Sequence, residues 1–414
     1  MAETAEGTGA SAEEPAATPL RAPRGGVPPV SVTADQVARA AERLAGGRGP
    51  FAVDAERASG FRYSNRAYLI QIRRAGAGTV LIDPVGDGVD SAALLEPVAE
   101  VLSDGEWILH SADQDLPCLA EVGLRPPALY DTELAGRLAG FDRVNLATMV
   151  QRLLGLGLAK GHGAADWSKR PLPAEWLNYA ALDVEVLIEL RAAIADVLRE
   201  QHKTEWAAEE FDHLRKFEAA PTRRDRWRRT SGIHKVRGDR GLAAVRELWL
   251  VRDRLAQRRD IAPGRILPDR AIIDAALTDP KTVADLLERP IFGGPKQRRY
   301  AELWVAALAA ARENPAPPEP EAVAGPPPAV RWAKRKPEAA ARLEAARAAI
   351  TAIAEEVDVP AENLISPELV RRLCWDWADP ADAAAAVEEV LRAGEARPWQ
   401  RRLVGPALAA ALDS

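Results

Sequence analysis

The sequence predicts an α/β domain followed by two all-α units. Three short apolar runs, bounded by Gly, Asn or Pro, fall in succession between residues 51 and 82. Strand and helix patterns then alternate to about residue 200, which implies a mixed sheet flanked by helices. Beyond that point strand signals stop. The remainder reads as helix, divided by a Pro-rich stretch at 313–337.

Taken in order, residues 1–30 are rich in Ala, Glu, Gly and Pro without periodicity, the composition of a disordered tail. Thr33-Ala-Asp35 starts a helix with Val37, Ala40, Ala41 and Leu44 at helical spacing, and Gly46-Gly47 ends it. Strands are expected at 51–54, 67–72, 79–82, 107–110 and 128–130. Helices are expected at 91–102, 114–122, 132–138, 146–154 and 173–199. The α/β domain therefore spans 31–205. A basic connector at 206–240 follows, then a helical unit at 241–312 with segments at 242–259, 269–276, 282–287 and 296–312. After the linker at 313–337, residues 338–414 form a second helical unit of similar size. No strict residue-level repeat between the two units is legible.

Composition narrows the class. Of the 414 residues, 47% are apolar and 28% charged, as in a soluble globular protein of several domains. The net charge of −6 excludes a protein basic all over, but not a local basic patch. Cys118 and Cys374 are the two cysteines, too few for a disulfide framework or a Cys-based zinc site. No apolar run approaches the ~18 residues of a membrane span, and the acidic N-terminus is unlike a signal peptide. The expectation is a cytoplasmic protein with no membrane partner. With no apolar surface stripe apparent, it is expected to be a monomer.

The chemistry centres on Phe51-Ala-Val-Asp54-Ala-Glu56, an apolar run ending in two carboxylates. In a strand, residues i and i+2 share a face, so Asp54 and Glu56 project together and need a compensating cation. Further acids stand where they could join them. His110-Ser-Ala-Asp113-Gln-Asp115 follows a strand end, where open α/β sheets place their ligands. Tyr179 and Asp183 are spaced i and i+4 on a helix and share one face, beside the apolar stripe of Leu177, Ala180, Val184 and Leu187.

Asp54-x-Glu56, then Asp115, then Tyr179-x-x-x-Asp183 resembles, in order and spacing, the three motifs of the DEDDy 3′→5′ exonucleases. Ser64-Asn-Arg-Ala-Tyr-Leu-Ile-Gln-Ile72 ahead of Leu81-Ile-Asp-Pro84, with Lys160, Asp166-Trp-Ser and Arg170-Pro-Leu, narrows the resemblance to ribonuclease D. Trp249 to Asp260, Pro263 and Ile266-Leu-Pro-Asp269 resemble its helicase-and-RNase-D C-terminal (HRDC) domain. Residues 338–414 resemble a second, more divergent one, anchored by Trp399-Gln. The sequence departs from the family at Ala55, where many members carry Thr, and at His162-Gly-Ala-Ala, where more polar sequence is usual.

The resemblance implies a ribonuclease H-like exonuclease fold and a metal-dependent 3′→5′ exoribonuclease that trims structured RNA such as tRNA precursors and releases 5′-mononucleotides. It implies two divalent ions, Mg²⁺ or Mn²⁺, which favour oxygen ligands. Asp54 would bridge them, Glu56 and Asp183 would complete the water-activating side, and Asp115 would serve the leaving-group side. Tyr179 would orient the water, since a phenol of pKa ~10 is a poor base at neutral pH. A 3′→5′ DNA exonuclease and a non-catalytic RNA-binding scaffold are the alternatives. The scaffold would be expected to lack a motif acid, and none is lacking.

Plainer readings stand beside these. Asp131-Thr-Glu133 repeats the Asp-x-Glu pattern but opens a helix, so Asp131 reads as an N-cap. His110 reads as a structural histidine, and Asp115 is preferred to Asp113 on spacing. Asp166 and Arg170 read as a structural pair shaping their loop. Trp167 either packs, the favoured reading, or offers a face for base stacking. Arg223, Arg224, Arg226, Arg228, Arg229, Lys235 and Arg237 are the other candidate RNA contacts, with Trp227 among them.

Overall fold

The computed structural model describes residues 17–85, 90–159, 161–216, 225–317 and 325–413. Its strands are β1 (Thr18–Leu20), β2 (Val30–Ser31), β3 (Arg48–Arg57), β4 (Ala67–Ala75), β5 (Gly78–Ile82), β6 (Glu106–Leu109), β7 (Ala128–Asp131) and β8 (Leu156–Leu158). Six of them form one mixed sheet in the order β2-β5-β4-β3-β6-β7, and β1 pairs with β8 apart from it. β3, β4 and β5 are antiparallel neighbours, whereas β6 and β7 run parallel to β3. The long strand β3 is therefore central. Phe51, Ala52 and Val53 are fully buried, and Asp54 and Glu56 follow at the end of that apolar run.

The first helices are α1 (Ala34–Ala45), α2 (Ser91–Leu102), α3 (Ala112–Glu121), α4 (Thr132–Leu138), α5 (Leu146–Leu154), α6 (Ala174–Glu185), α7 (Leu187–Glu200) and α8 (Thr204–Arg215). α1 starts in a capping box between Thr33 and Gln36 and buries the expected Val37, Ala40, Ala41 and Leu44. The single helix expected at 173–199 is two, broken at Val186 (φ −102°, ψ −9°). The break turns the chain over the twisted sheet: α6 packs on β3, β4 and β5, and α7 on β3 and β6. It also brings Glu185, fully buried, to 2.9 Å from Arg73 on β4. No Pro or Gly marks this bend in the sequence.

Two boundaries of the α/β domain differ from expectation. The tail expected at 1–30 is structured from residue 17, and residues 1–16 lie outside the described residues. Its chain is held because backbone groups that would otherwise lose water find partners: β1 on β8, β2 on β5, and Asn178 Nδ2 donating to Arg21 O at 2.9 Å. The expected connector begins as helix α8, which packs on β7 with the Phe211 and Tyr130 rings 4.6 Å apart.

The first helical unit comprises α9 (Gly238–Arg259), α10 (Pro263–Ile266), α11 (Asp269–Thr278), α12 (Val283–Leu287), α13 (Pro295–Arg298) and α14 (Ala301–Glu313). The second comprises α15 (Trp332–Arg335), α16 (Pro337–Val357), α17 (Ala361–Leu364), α18 (Pro367–Asp376), α19 (Ala383–Ala393) and α20 (Pro398–Leu412). The end of the expected linker thus belongs to the second unit, with Trp332 fully buried.

The structure exposes a repeat that the sequence alone does not make legible. In each unit a long helix ends in an aspartate with left-handed backbone, Asp260 (φ 47°) and Asp358 (φ 49°). A one-turn helix follows, then the next long helix, at the same spacing. Pro295-Lys-Gln297-Arg-Arg in one unit answers Pro398-Trp-Gln400-Arg-Arg in the other. Gln297 donates to Ile266 O at 2.5 Å and Gln400 to Asn363 O at 2.9 Å, each closing the one-turn helix.

Both aspartate corners dock on the α/β domain. Asp260 accepts from Ser64 N at 2.8 Å, Tyr63 N at 3.1 Å and Tyr68 Oη at 3.3 Å, with Arg66 at 3.6 Å. These donors hold its carboxyl below the usual range, although its burial opposes the shift. Asp358 lies so close to Gly140 that a Cβ there would fall 2.2 Å from Asp358 Oδ2. Lys203 Nζ bridges Leu138 O and Asp358 O at 2.8 and 3.2 Å. The second unit is anchored further by Trp399, which stacks on Trp206 at 4.8 Å and donates to the buried Glu210 at 2.9 Å.

Asp260→Ala removes these acceptors and leaves a non-Gly, non-Asx residue in left-handed backbone. It is expected to cost about 2–3 kcal/mol and to let residues 238–313 melt ahead of the remainder in urea. Asp260→Asn, which tolerates that backbone and keeps one acceptor oxygen, should cost less.

Candidate active site

Strand pleat, a helix start and a helix face converge on one cleft of about 430 Å³. Asp54 and Glu56 reach it from β3, Asp115 from the first turn of α3, and Tyr179 and Asp183 from α6. One oxygen from each of Asp54, Glu56 and Asp183 can be chosen so that all lie within 4.8 Å of one another. Asp115 and Tyr179 line the same cleft beside Asp54 and Asp183. All five core residues of the expected site therefore meet. Asp113, the competitor of Asp115, is exposed.

The electrostatics are those of an unneutralised acidic cluster. Burial raises Asp54 to about 6. Burial first, and then the charges of Asp54, Asp183 and Asp115, hold Glu56 well above the usual carboxylate range. Burial and then the charge of Asp54 do the same to Asp115 and Asp183. Burial, followed by the charge of Asp183, drives the Tyr179 phenol upward, so it stays protonated at neutral pH. Among the described residues, Arg57 is the cation that opposes this, 3.5 Å from Asp115.

The sequence reading missed Arg57 because simple strand alternation puts it on the face opposite Glu56. The pairing of β3 with β4 shifts register between Glu56 and Arg57, an irregularity that re-aims the side chain. The other missed residue is Gly161. A Cβ there would fall 1.7 Å from Tyr179 Cε2, so only glycine lets this loop lie against the ring.

Other expected roles sort themselves by contact. Asp131 is the N-cap of α4, accepting from Glu133 N at 2.8 Å and Leu134 N at 3.0 Å. It also accepts from Ala112 N at 2.7 Å. That bond caps α3, whose own Ser111 sits in left-handed backbone with no side-chain cap, and so fixes the helix that carries Asp115. His110 lines the cleft, with Nδ1 2.9 Å from Thr132 Oγ1, and its burial lowers its pKa to about 4. Arg170 does not pair with Asp166. It grips Asp83 with Nε and Nη2 at 2.5 and 2.7 Å and donates to Tyr68 O and Trp167 O, pinning the loop to the sheet. Asp166 accepts from Ser168 Oγ instead.

Trp167 is fully buried, 5.3 Å from the Trp176 ring, so it packs and has no face for a base. Arg223, Arg224 and Lys160 lie outside the described residues. Arg226, Arg229, Lys235 and Arg237 are exposed, with Arg226 over the Trp249 ring at 5.7 Å and Arg228 over Trp227 at 4.3 Å. None of them lines the acidic cleft.

A central strand with two acids, a third acid on a helix start and a Tyr–Asp pair on a crossing helix define a 3′→5′ exonuclease of the DEDDy class. Residues 29–199 match the family described as 3′-5′ exonuclease, residues 241–308 the HRDC domain and residues 325–412 the 3′ to 5′ exonuclease C-terminal domain. Ribonuclease D of Jannaschia sp. is 32% identical over 64% of this chain and 69% of that protein. Ribonuclease D of Nitrobacter hamburgensis is 27% identical over 79% and 81%. The chain belongs to the ribonuclease D family of 3′→5′ exoribonucleases. Among solved structures, a protein from Bifidobacterium adolescentis is 37% identical, with TM-score 0.86 over 96% of this chain and all of that one. Escherichia coli RNase D shares the fold at 23% identity, with TM-score 0.64 over 93% and 98%. No helix among the described residues is long and apolar enough to cross a membrane.

The raised carboxyls carry a sign. A folded-state pKa above the unfolded value near ~4 means that the folded protein binds more protons, so stability falls as pH rises through this window. For Asp54 the window ends at about 6. In EDTA, Asp183→Asn, which removes one of the repelling charges, is expected to melt a few degrees above the parent at pH ~7.5. The difference should shrink toward pH ~4.5 as the parent's carboxylates protonate. Melting curves across this pH range check it.

Proposed function

We propose that this chain trims 3′ ends of structured RNA such as tRNA precursors, hydrolysing one terminal phosphodiester at a time with two divalent ions and releasing 5′-mononucleotides. The single observation that supports this most is the set of carboxylate oxygens from Asp54, Glu56 and Asp183 within 4.8 Å of one another. The donor set fits Mg²⁺ or Mn²⁺: oxygen ligands only, partly desolvated, mutually repelling, and without a lysine or arginine paired to any of these three among the described residues. Bound there, such ions supply a polarised phosphodiester, an attacking water of lowered pKa and charge for the leaving 3′ oxygen.

In this reading Asp54 would help hold both ions, Glu56 and Asp183 the one that serves the attacking water, and Asp115 the one that serves the leaving group. Tyr179, kept neutral by burial and by the charge of Asp183, orients the water and does not take its proton. Arg57 steadies the Asp115 carboxylate and faces the phosphate. Arg226, Arg229, Lys235 and Arg237, which are exposed, extend phosphate contact beyond the cleft. A non-catalytic scaffold gives no reason to keep costly buried acids. The enzyme is proposed to act as a monomer.

The test uses 3′-tailed tRNA, single-stranded RNA and single-stranded DNA with Mg²⁺, Mn²⁺ or EDTA. RNA shortening from the 3′ end that stops in EDTA is expected. Persistence in EDTA would contradict the metal mechanism, and a strong preference for DNA would contradict the substrate. Asp183→Asn should lower kcat by at least ~10³-fold while RNA binding survives. Tyr179→Phe and Gly161→Ala should each cost about 10–100-fold, through a misplaced water and a displaced ring respectively.

A further inference from the structure

A second cleft, of about 600 Å³, lies where the α/β domain meets the first helical unit. Phe61, Arg62 and Asp166 line it from one side, and Arg259, Arg265, Lys296, Arg299 and Tyr300 from the other. Five cations thus face one carboxylate, in a chain whose net charge is −6. None of the five makes an ion pair with a described residue. The carboxylate of Asp166 accepts from Ser168 Oγ, which also accepts from Arg62 Nε at 2.7 Å. Three acids of the helical unit are matched elsewhere: Asp269 with Arg252, Asp274 with Arg289 and Asp279 with Arg312. Like charges gathered without counterions repel one another, and a polyanion relieves that repulsion.

The arginines are also shaped for a nucleic acid. The Arg265 guanidinium lies 4.0 Å over the Phe61 ring, and its Nε donates to Gly60 O at 2.7 Å. Arg259 lies 5.3 Å over the Tyr300 ring. Held on aromatic faces, both are pre-organised for bidentate phosphate contact. The Tyr300 hydroxyl is buried with no hydrogen-bond partner among the described residues, a polar group left to be satisfied at the cleft.

The two clefts are neighbours along the chain. Gly163 lines the acidic cleft and Asp166 the basic one, three residues apart and so within about 11 Å. Arg57 and Phe61 make a second such link, within about 14 Å. We propose that the basic cleft binds the phosphates of single-stranded RNA a few nucleotides upstream of the 3′ end held among the acids. This rests on the exoribonuclease reading for its direction along the strand, and on the cleft alone for the binding. It assigns the docked helical unit a share of the RNA path and gives the Asp260 anchor a purpose, since a loosened unit would dissolve the cleft.

The test is Lys296→Glu/Arg299→Glu, two exposed positions distant from the fold's core, with Lys296→Gln/Arg299→Gln as a milder control. Binding of a 5′-labelled oligoribonucleotide of about twenty residues is read by anisotropy in EDTA, where turnover is not required. Affinity is expected to fall at least ~10-fold, with the slope of log K on log salt reduced by about 1.4; the Gln pair should lose the same slope and less affinity. In Mn²⁺, KM should rise in parallel for the long RNA but not for a trinucleotide, too short to span both clefts. Unchanged affinity and salt slope in the Glu pair would overturn the proposal and leave an acidic protein segment as the occupant. Equal losses on long RNA and trinucleotide would overturn it too, by showing a general disturbance. Weakened binding by a chain that cleaves no RNA would uphold the cleft and sink the exoribonuclease reading instead.

Discussion

Four buried or half-buried carboxylates gathered from three separate elements are the constraint on which this structure depends. Ionised together in a low-dielectric cleft they repel, and burial alone already penalises each. A chain does not bring Asp54, Glu56, Asp115 and Asp183 together by their own attraction. Something else must hold their backbones in place, and most of the α/β domain can be understood as that support. The fully buried Phe51, Ala52 and Val53 tie the acid-bearing strand to the sheet centre. The Asp131 carboxylate caps two helices at once and so fixes the start of the one bearing Asp115. Arg170 clamps the loop ahead of the third motif to Asp83 and to the backbone of β4.

The helical units add a second level of the same logic. Each ends its first long helix in an aspartate with left-handed backbone and uses that corner to meet the α/β domain, one through side-chain acceptance and the other through close approach to Gly140. The docking is polar at these two corners, which sets angle and register, while the second unit also shares an apolar core with the α/β domain, with Trp399 stacked on Trp206. The α/β domain and the first helical unit together thus carry two clefts of opposite charge, the acidic one and the basic one close to it along the chain.

What the sequence disclosed follows from how local each feature is. Asp54 and Glu56 share a strand face, and Tyr179 and Asp183 share a helix face, so their partnership is written in spacing. The Asp131 cap was legible for the same reason. Arg57 was hidden because a register shift overrides alternation. The partner of Arg170 was misjudged because Asp83 is distant in sequence, and a long-range ion pair leaves no local mark. The break at Val186 and the order of residues 17–31 depend on what those segments pack against. The repeat between the two helical units stayed unseen because it consists of a backbone conformation and a few anchors, Asp260 with Asp358 and Gln297 with Gln400, set among residues that otherwise differ. Trp167 shows the converse: a residue type suited to stacking on bases that the fold spends in the core.

The acids are held in mutual repulsion, and the proposed divalent ions would occupy the space between them. Calorimetric titration of the metal-free protein with Mn²⁺ at pH ~6 and pH ~8, in buffers of different ionisation enthalpy, measures that occupancy directly. Binding of two ions per chain is predicted, tighter at the higher pH and releasing protons at the lower one, because raised carboxyls must ionise before they can ligate. Asp54→Asn should abolish the tight component. Absence of saturable binding, or binding indifferent both to pH and to Asp54, would contradict the account.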